Sequence, residues 1–209
     1  MHSSLDPVVG AIVLLALWMV GITNLPSKMA LYGLQTAGLG ILAVWIGVHH
    51  HEPALIIAGT AVALLKGIGV PIYLTRVVRI IGCRRDEGLL LAPPLLLFLT
   101  MAILGALALL QPFAKEYSAD LLPSIGLILV GMTLMISRRL AVSQIVGFLV
   151  IENGIFYYTI SQPHSMPLVV DLGVLLDVLV GVMLAGALMF QISDSFEHID
   201  VTELKRLRG

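Results

Sequence analysis

The chain is built almost entirely of apolar runs the length of a membrane crossing, joined by connections too short to hold anything else. The runs cover approximately 5–24, 29–48, 53–76, 89–111, 120–137, 140–161 and 168–191. A helix needs about 20 apolar residues to cross a bilayer. Seven crossings therefore consume roughly 140 to 160 positions, and only loops and a tail remain of the 209 residues. Charged residues make up 12% of the chain, about half of what a soluble domain carries. In lipid every backbone amide must be paired within its own segment, so the runs are expected to be helices and not strands. The stretch from Met1 to Asp6 has no basic n-region, so the first run reads as a retained helix rather than a cleaved signal. The tail 193–209 alternates charged and apolar residues, as a surface-lying segment does.

The basic residues set the expected orientation. Lys28, Arg76, Arg79, Arg84, Arg85, Arg138, Arg139, Lys205, Arg206 and Arg208 fall on one side of an alternating layout, and Lys115 on the other. The side rich in Lys and Arg is expected to be cytoplasmic, which puts the N-terminus outside and the C-terminus inside. A spacing repeats as well. Lys66 lies 38 positions after Lys28, and Asp177 lies 38 positions after Arg139. Each interval holds a helix, a proline-containing outer loop and half of another helix. The expected fold is thus an all-α integral membrane protein of seven transmembrane helices. Helices 1–3 and 5–7 form two parallel three-helix repeats about an axis along the membrane normal, joined by helix 4. The corresponding units are 1–88, a linker helix within 89–119, and 120–209 with its cytoplasmic tail.

Three ionisable residues sit where charge is costly: Lys66, Glu152 and Asp177. Counting about 1.5 Å per helical residue, all three fall in the middle third of a hydrocarbon core about 30 Å thick. A charge there costs about 2.5 to 3.5 kcal/mol on insertion scales. Such groups commonly mark a proton or ion path; the alternative is an inert pair that pins helices together. Protons suit these residues better than sodium, which needs several converging oxygen ligands beside unwound backbone. Pro71 is expected to disturb the helix just beyond Lys66 and to loosen its backbone. Asn153, Gln144 and Gln35 read as interhelical glue, and Asp171 as a water-exposed residue near the start of the last helix. Trp18 and Trp45 read as packing or interface residues. Helix 4 has no ionisable group and reads as a spacer facing lipid or a partner.

Other chemistry is hard to place on this sequence. Cys83 is the only cysteine, which excludes an intrachain disulfide and a cysteine metal cluster. The run His49-His50-His51-Glu52 is metal-like in composition, but adjacent residues point apart, so it reads as a solvated outer turn. His164 reads as an inert loop residue. No phosphate loop, nucleophile elbow or zinc signature occurs, and no basic stripe suggests nucleic acid. The expectation is a chain without a metal, cofactor or catalysis of its own.

The stretch 121–209 resembles the small K-type membrane subunit of respiratory complex I. The matching features are Ile136-Ser137-Arg138-Arg139-Leu140, a following helix with a central Glu152, then Leu175-Leu176-Asp177-Val178-Leu179-Val180-Gly181 and a tail with Ile199-Asp200-Val201. With its extra helices in front, the whole chain resembles hydrogenase-4 component E, a membrane subunit of hydrogenases and formate hydrogenlyases related to complex I. The resemblance implies membrane carboxylates on a proton path, here Glu152 and Asp177. It also implies antiporter-like and quinone- or hydrogenase-module anchor subunits as partners, and a multi-pass place in the cell inner membrane. Two departures stand out. Asp177 replaces the usual glutamate, and Glu152 lies about one turn farther from the basic pair. In the front repeat Ile41 takes the place of Glu152, and Lys66 that of Asp177. Lys66 is then expected to act as a positive partner to carboxylates of this or a neighbouring subunit.

The function implied is that of a non-redox, non-catalytic membrane subunit of a hydrogenase or complex I-like assembly, with Glu152, Asp177 and Lys66 on its proton path. The alternatives are a stand-alone proton-coupled transporter, which would need a polar substrate cavity, and a purely structural scaffold.

Overall fold

The computed structural model describes residues 6–82, 85–86, 92–110, 121–162 and Gly181. Within them the regular structure is entirely helical. The elements are α1 (Asp6–Gly21), α2 (Leu25–His50), α3 (Pro53–Ala61), a π-helical segment (Val62–Gly69), α4 (Val70–Ile81), α5 (Pro93–Leu110), α6 (Leu121–Ser137) and α7 (Ala141–Ser161). The segments α3, π and α4 form one unbroken rod, so six of the seven apolar runs are seen as helices. The seventh run, with Asp171 and Asp177, lies outside the described residues, as do His164 and the tail. Among the described residues three helices are long and apolar enough to cross a membrane: Leu25–His50, Pro53–Arg79 and Ala141–Ser161. The apolar helices α1 and α6 and most of α5 are shorter.

Two of the boundaries that differ from the sequence reading have a local reason. Helix α2 begins at Leu25 rather than 29, because proline is tolerated in a first helical turn, where its missing amide has no partner to lose. Lys28 consequently belongs to the helix and not to a connection. The third run continues beyond residue 76 to Ile81, where Gly82 takes up a left-handed conformation (φ 72°) and its amide closes on the Arg79 carbonyl. Between α2 and α3 the turn is equally tight. His51 is left-handed (φ 56°), and its amide reaches back to Gly47 and Val48. His49 stacks on Trp45 at 5.4 Å, and all three histidines are exposed.

Glycines let the helices approach until backbones touch. In the α2–rod contact, an added Cβ on Gly40 would lie 2.6 Å from the Gly59 carbonyl oxygen, and one on Gly59 2.7 Å from that of Gly40. The α6–α7 contact repeats the device: Cβ on Gly131 would lie 2.5 Å from the Gly147 oxygen and 2.8 Å from the Ile151 amide nitrogen. Small residues at such crossings are the usual way membrane helices gain close packing. Among the described residues α1 and α2 lack such a seam. Helix α5 lies against α1 and α6, burying Leu96 and Thr100 and presenting Phe98, Leu99, Met101 and Ile103 outward.

Gly131→Ala is expected to destabilise the chain by about 1–3 kcal/mol, because the methyl meets backbone that cannot rotate away. Gly10→Ala, where an added Cβ meets nothing within 4 Å, serves as the neutral control. Thermal unfolding of the detergent-solubilised proteins tests this; equal midpoints for both variants would mean that the α6–α7 seam is looser than described.

Candidate functional site

The rod carries Lys66 at its midpoint, thirteen residues from each end of the span Pro53–Arg79. It does so within the π-helical stretch, where the Val70 amide donates to the Leu65 carbonyl five residues back. Pro71 supplies the reason: it has no amide to donate, so the regular ladder cannot close there. The backbone stays helical, and the irregularity is taken up ahead of the proline, around Lys66. Helix α2 fits against this place through Gly33, where an added Cβ would lie 2.7 Å from the Gly67 oxygen and 2.9 Å from Pro71 Cγ.

Lys66 meets Glu152. Its Nζ lies 2.9 Å from Glu152 Oε2, and the two side chains are only 8% and 4% exposed. Glu152 occupies the middle of α7, so a cation and a carboxylate from different helices face each other near half-height of both. Next to the pair, Asn153 donates through Nδ2 to Thr36 Oγ1 of α2 at 2.8 Å. Gln35 donates to the Ile12 carbonyl of α1 at 3.4 Å, and Gln144 to the Arg138 carbonyl at 3.0 Å. The amides of residues 35 and 153 thus bridge helices, whereas Gln144 closes a local turn. The structure brings Lys66 and Glu152 together; Asp177, the third candidate, lies outside the described residues.

A second buried charge cluster was not legible in the sequence. At the end of the bundle where α2 and α7 begin, Lys28 Nζ lies 3.1 Å from Asp86 Oδ2 and donates to Ser143 Oγ at 2.9 Å. Arg138 Nη1 approaches the same Asp86 oxygen at 3.8 Å, an electrostatic contact too long for a hydrogen bond. Arg138 Nη2 donates to the Val20 carbonyl at the end of α1, where helix carbonyls lack amide partners and favour a cation. Asp86 is carried into place by backbone: its amide donates to the Thr23 carbonyl at 2.9 Å, and Arg85 forms a bridge with Asn24. Lys28, Asp86 and Arg138 are all essentially fully buried. The burial weakens the hold of Arg138 on its proton, and the Asp86 carboxylate partly offsets it.

The sequence reading used Lys28 and Arg138 as markers of the basic side, of the 38-residue spacing and of a family motif, not as buried charges, and made no use of Asp86. Their burial corrects that picture, because in a tight bundle end two cations must be matched by a carboxylate rather than by water. One signal was available: Lys28, Tyr32 and Thr36 recur every four residues in α2, which places polar groups on one helical face. Asp86 had no such signal, being one charge in a polar connection.

No family model matches the chain, and no solved structure matches it. Among curated proteins, hydrogenase-4 component E of Escherichia coli K12 and of Shigella flexneri are each 24% identical to it over 210 residues, covering 96% of this chain and 95% of theirs. The Mycobacterium tuberculosis protein described as "Uncharacterized protein Rv0085" is 30% identical over 209 residues, with 97% of this chain and 95% of the relative covered. At that identity over nearly the whole of both chains, this protein, helical through its described elements, belongs to the family of Rv0085.

Proposed function

We propose that the chain is a non-redox membrane subunit of a multisubunit hydrogenase-like complex, and that Glu152, Lys66 and Asp177 lie on a proton path through it. The likeness to hydrogenase-4 component E supports the assembly. The observation that carries the path is the Lys66–Glu152 pair, 2.9 Å apart, at mid-height of two apolar helices. A carboxylate and a lysine in contact away from bulk water can pass a proton between them when a neighbouring charge or water moves. Redox energy released in partner subunits drives that movement; this chain supplies the titratable groups. The reading includes seven crossings of the cell inner membrane, the basic end in the cytoplasm and the two three-helix units 1–88 and 120–209.

Glu152→Gln combined with Asp177→Asn keeps the size of both side chains and leaves an acceptor oxygen on each, while removing their protons from exchange. The complex is expected to assemble, as seen by co-purification in mild detergent, while hydrogen-dependent proton transfer in inverted membrane vesicles is lost. Parental proton transfer by the assembled double variant would refute the proposal.

A further inference from the structure

The two buried charge clusters are joined by a polar seam. On α2, Lys28, Tyr32, Gln35 and Thr36 are all fully buried and share one face, with Lys28, Tyr32 and Thr36 at four-residue spacing and Gln35 three residues after Tyr32. Lys28 is tied to Ser143 at the start of α7, and Thr36 is tied to Asn153 beside Glu152. The seam runs eight residues along α2, about 12 Å, with the Tyr32 hydroxyl-bearing side chain one turn from each end.

The hydrogen bonds in this seam have a direction. Ser143 Oγ accepts from the Lys28 ammonium and Thr36 Oγ1 accepts from the Asn153 amide. Each hydroxyl therefore has its own hydrogen turned away from the group it is bonded to and available to a further acceptor. Asn153 Oδ1, Gln35 Oε1 and Asp86 Oδ1 are buried acceptors that take no hydrogen bond from the described residues. A network whose task is only to glue helices is expected to close such acceptors on protein donors. Buried acceptors that the described residues do not close, beside hydroxyls, are places where internal water can be held.

We infer that the α2–α7 seam is a hydrated proton lane between the basic end of the bundle and Glu152. In it the hydroxyls of Ser143, Tyr32 and Thr36, with intervening water, relay the proton. Each relay oxygen takes one proton from behind and releases one ahead, so every group regains its starting charge and no oxidant or reductant is involved. Asn153 is a positioning residue: its amide holds the Thr36 hydroxyl in the donating orientation and does not itself titrate. The lane rests on the proton-path reading of Glu152.

The test uses the full chain assembled with its partners in inverted membrane vesicles. The initial rate of hydrogen-dependent proton transfer is read with a pH-sensitive dye and normalised to assembled complex. Thr36→Val and Tyr32→Phe, which remove a hydroxyl at nearly constant volume, are expected to slow proton transfer by about tenfold, the factor set by one lost hydrogen bond in a barrier. Thr36→Ser is expected to restore it. Parental rates in both Thr36→Val and Tyr32→Phe, with Glu152→Gln inactive, would overturn the lane and leave the reading of Glu152 intact. Parental rates in Glu152→Gln as well would overturn both. A Thr36→Ser variant as slow as Thr36→Val would assign Thr36 to packing and also overturn the lane.

Discussion

Lys66→Met is expected to destabilise the folded chain by about 3–5 kcal/mol, because it leaves the Glu152 carboxylate buried without the cation that faces it. Lys66 and Glu152 are nearly inaccessible and 2.9 Å apart, so bulk water cannot take over the missing role. Glu152→Leu should cost a similar amount by stranding the ammonium. The double variant Lys66→Met, Glu152→Leu is expected to behave differently. Replacing both members of a buried ion pair with apolar groups is often neutral or stabilising, since two desolvation penalties vanish with the attraction. Unfolding of the four proteins in mixed micelles closes the cycle and isolates the coupling. Two small single effects that simply add would show that the pair is solvated and that the geometry described here is wrong. The double variant has a second use. A chain that is stable but fails to support proton transfer would separate the functional demand for these charges from any structural one.

Asp86→Ala is the other large effect, again about 3–5 kcal/mol, and its logic is one of imbalance. Asp86 is the carboxylate that faces both Lys28 at 3.1 Å and Arg138 at 3.8 Å. Without it two buried cations confront each other. The backbone hydrogen bond from residue 86 to the Thr23 carbonyl is retained in the variant, so the loss is electrostatic. The cheapest response of the structure is to let residues 85–86 leave the bundle end, which exposes the peptide bond after Arg85. Trypsin cleavage there is expected to rise in Asp86→Ala and to return toward the parental rate when Lys28→Met is added, since one surplus cation is gone. Asp86→Asn should fall between, keeping an oxygen for the Lys28 ammonium but no charge. Equal cleavage of the parent and Asp86→Ala would mean that the carboxylate does not hold this end together.

Both results bear on how a charge comes to be tolerated in an apolar bundle. At mid-height the pairing is one to one, and the irregular π turn ahead of Pro71 surrounds the lysine. At the bundle end the described residues set two cations against one carboxylate, and the excess is spread over the Val20 carbonyl and the Ser143 hydroxyl. Removing a partner is costly at either place, because each removal leaves a buried charge unmatched.

The limits of inference from the chain alone follow the range of the forces involved. Apolar run lengths are local features, and they place six helices to within a few residues; the proline in the first turn of α2 and the glycine after Ile81 are equally local and set two ends that the run lengths missed. The cost of burying Lys66 and Glu152 is also local, since it depends on depth within one apolar run; both could be singled out without knowing what lay beside them. Contact between Lys66 and Glu152 is another matter. It depends on how the rod and α7 are rotated and on the glycines at 33, 40 and 59, which bring the rod against α2. Asp86 shows the same division more sharply: a short polar connection reveals nothing about which way it folds. A single hydrogen bond to Thr23 turns its carboxylate inward, because only the assembled ends of α1, α2 and α7 present two cations for it to meet.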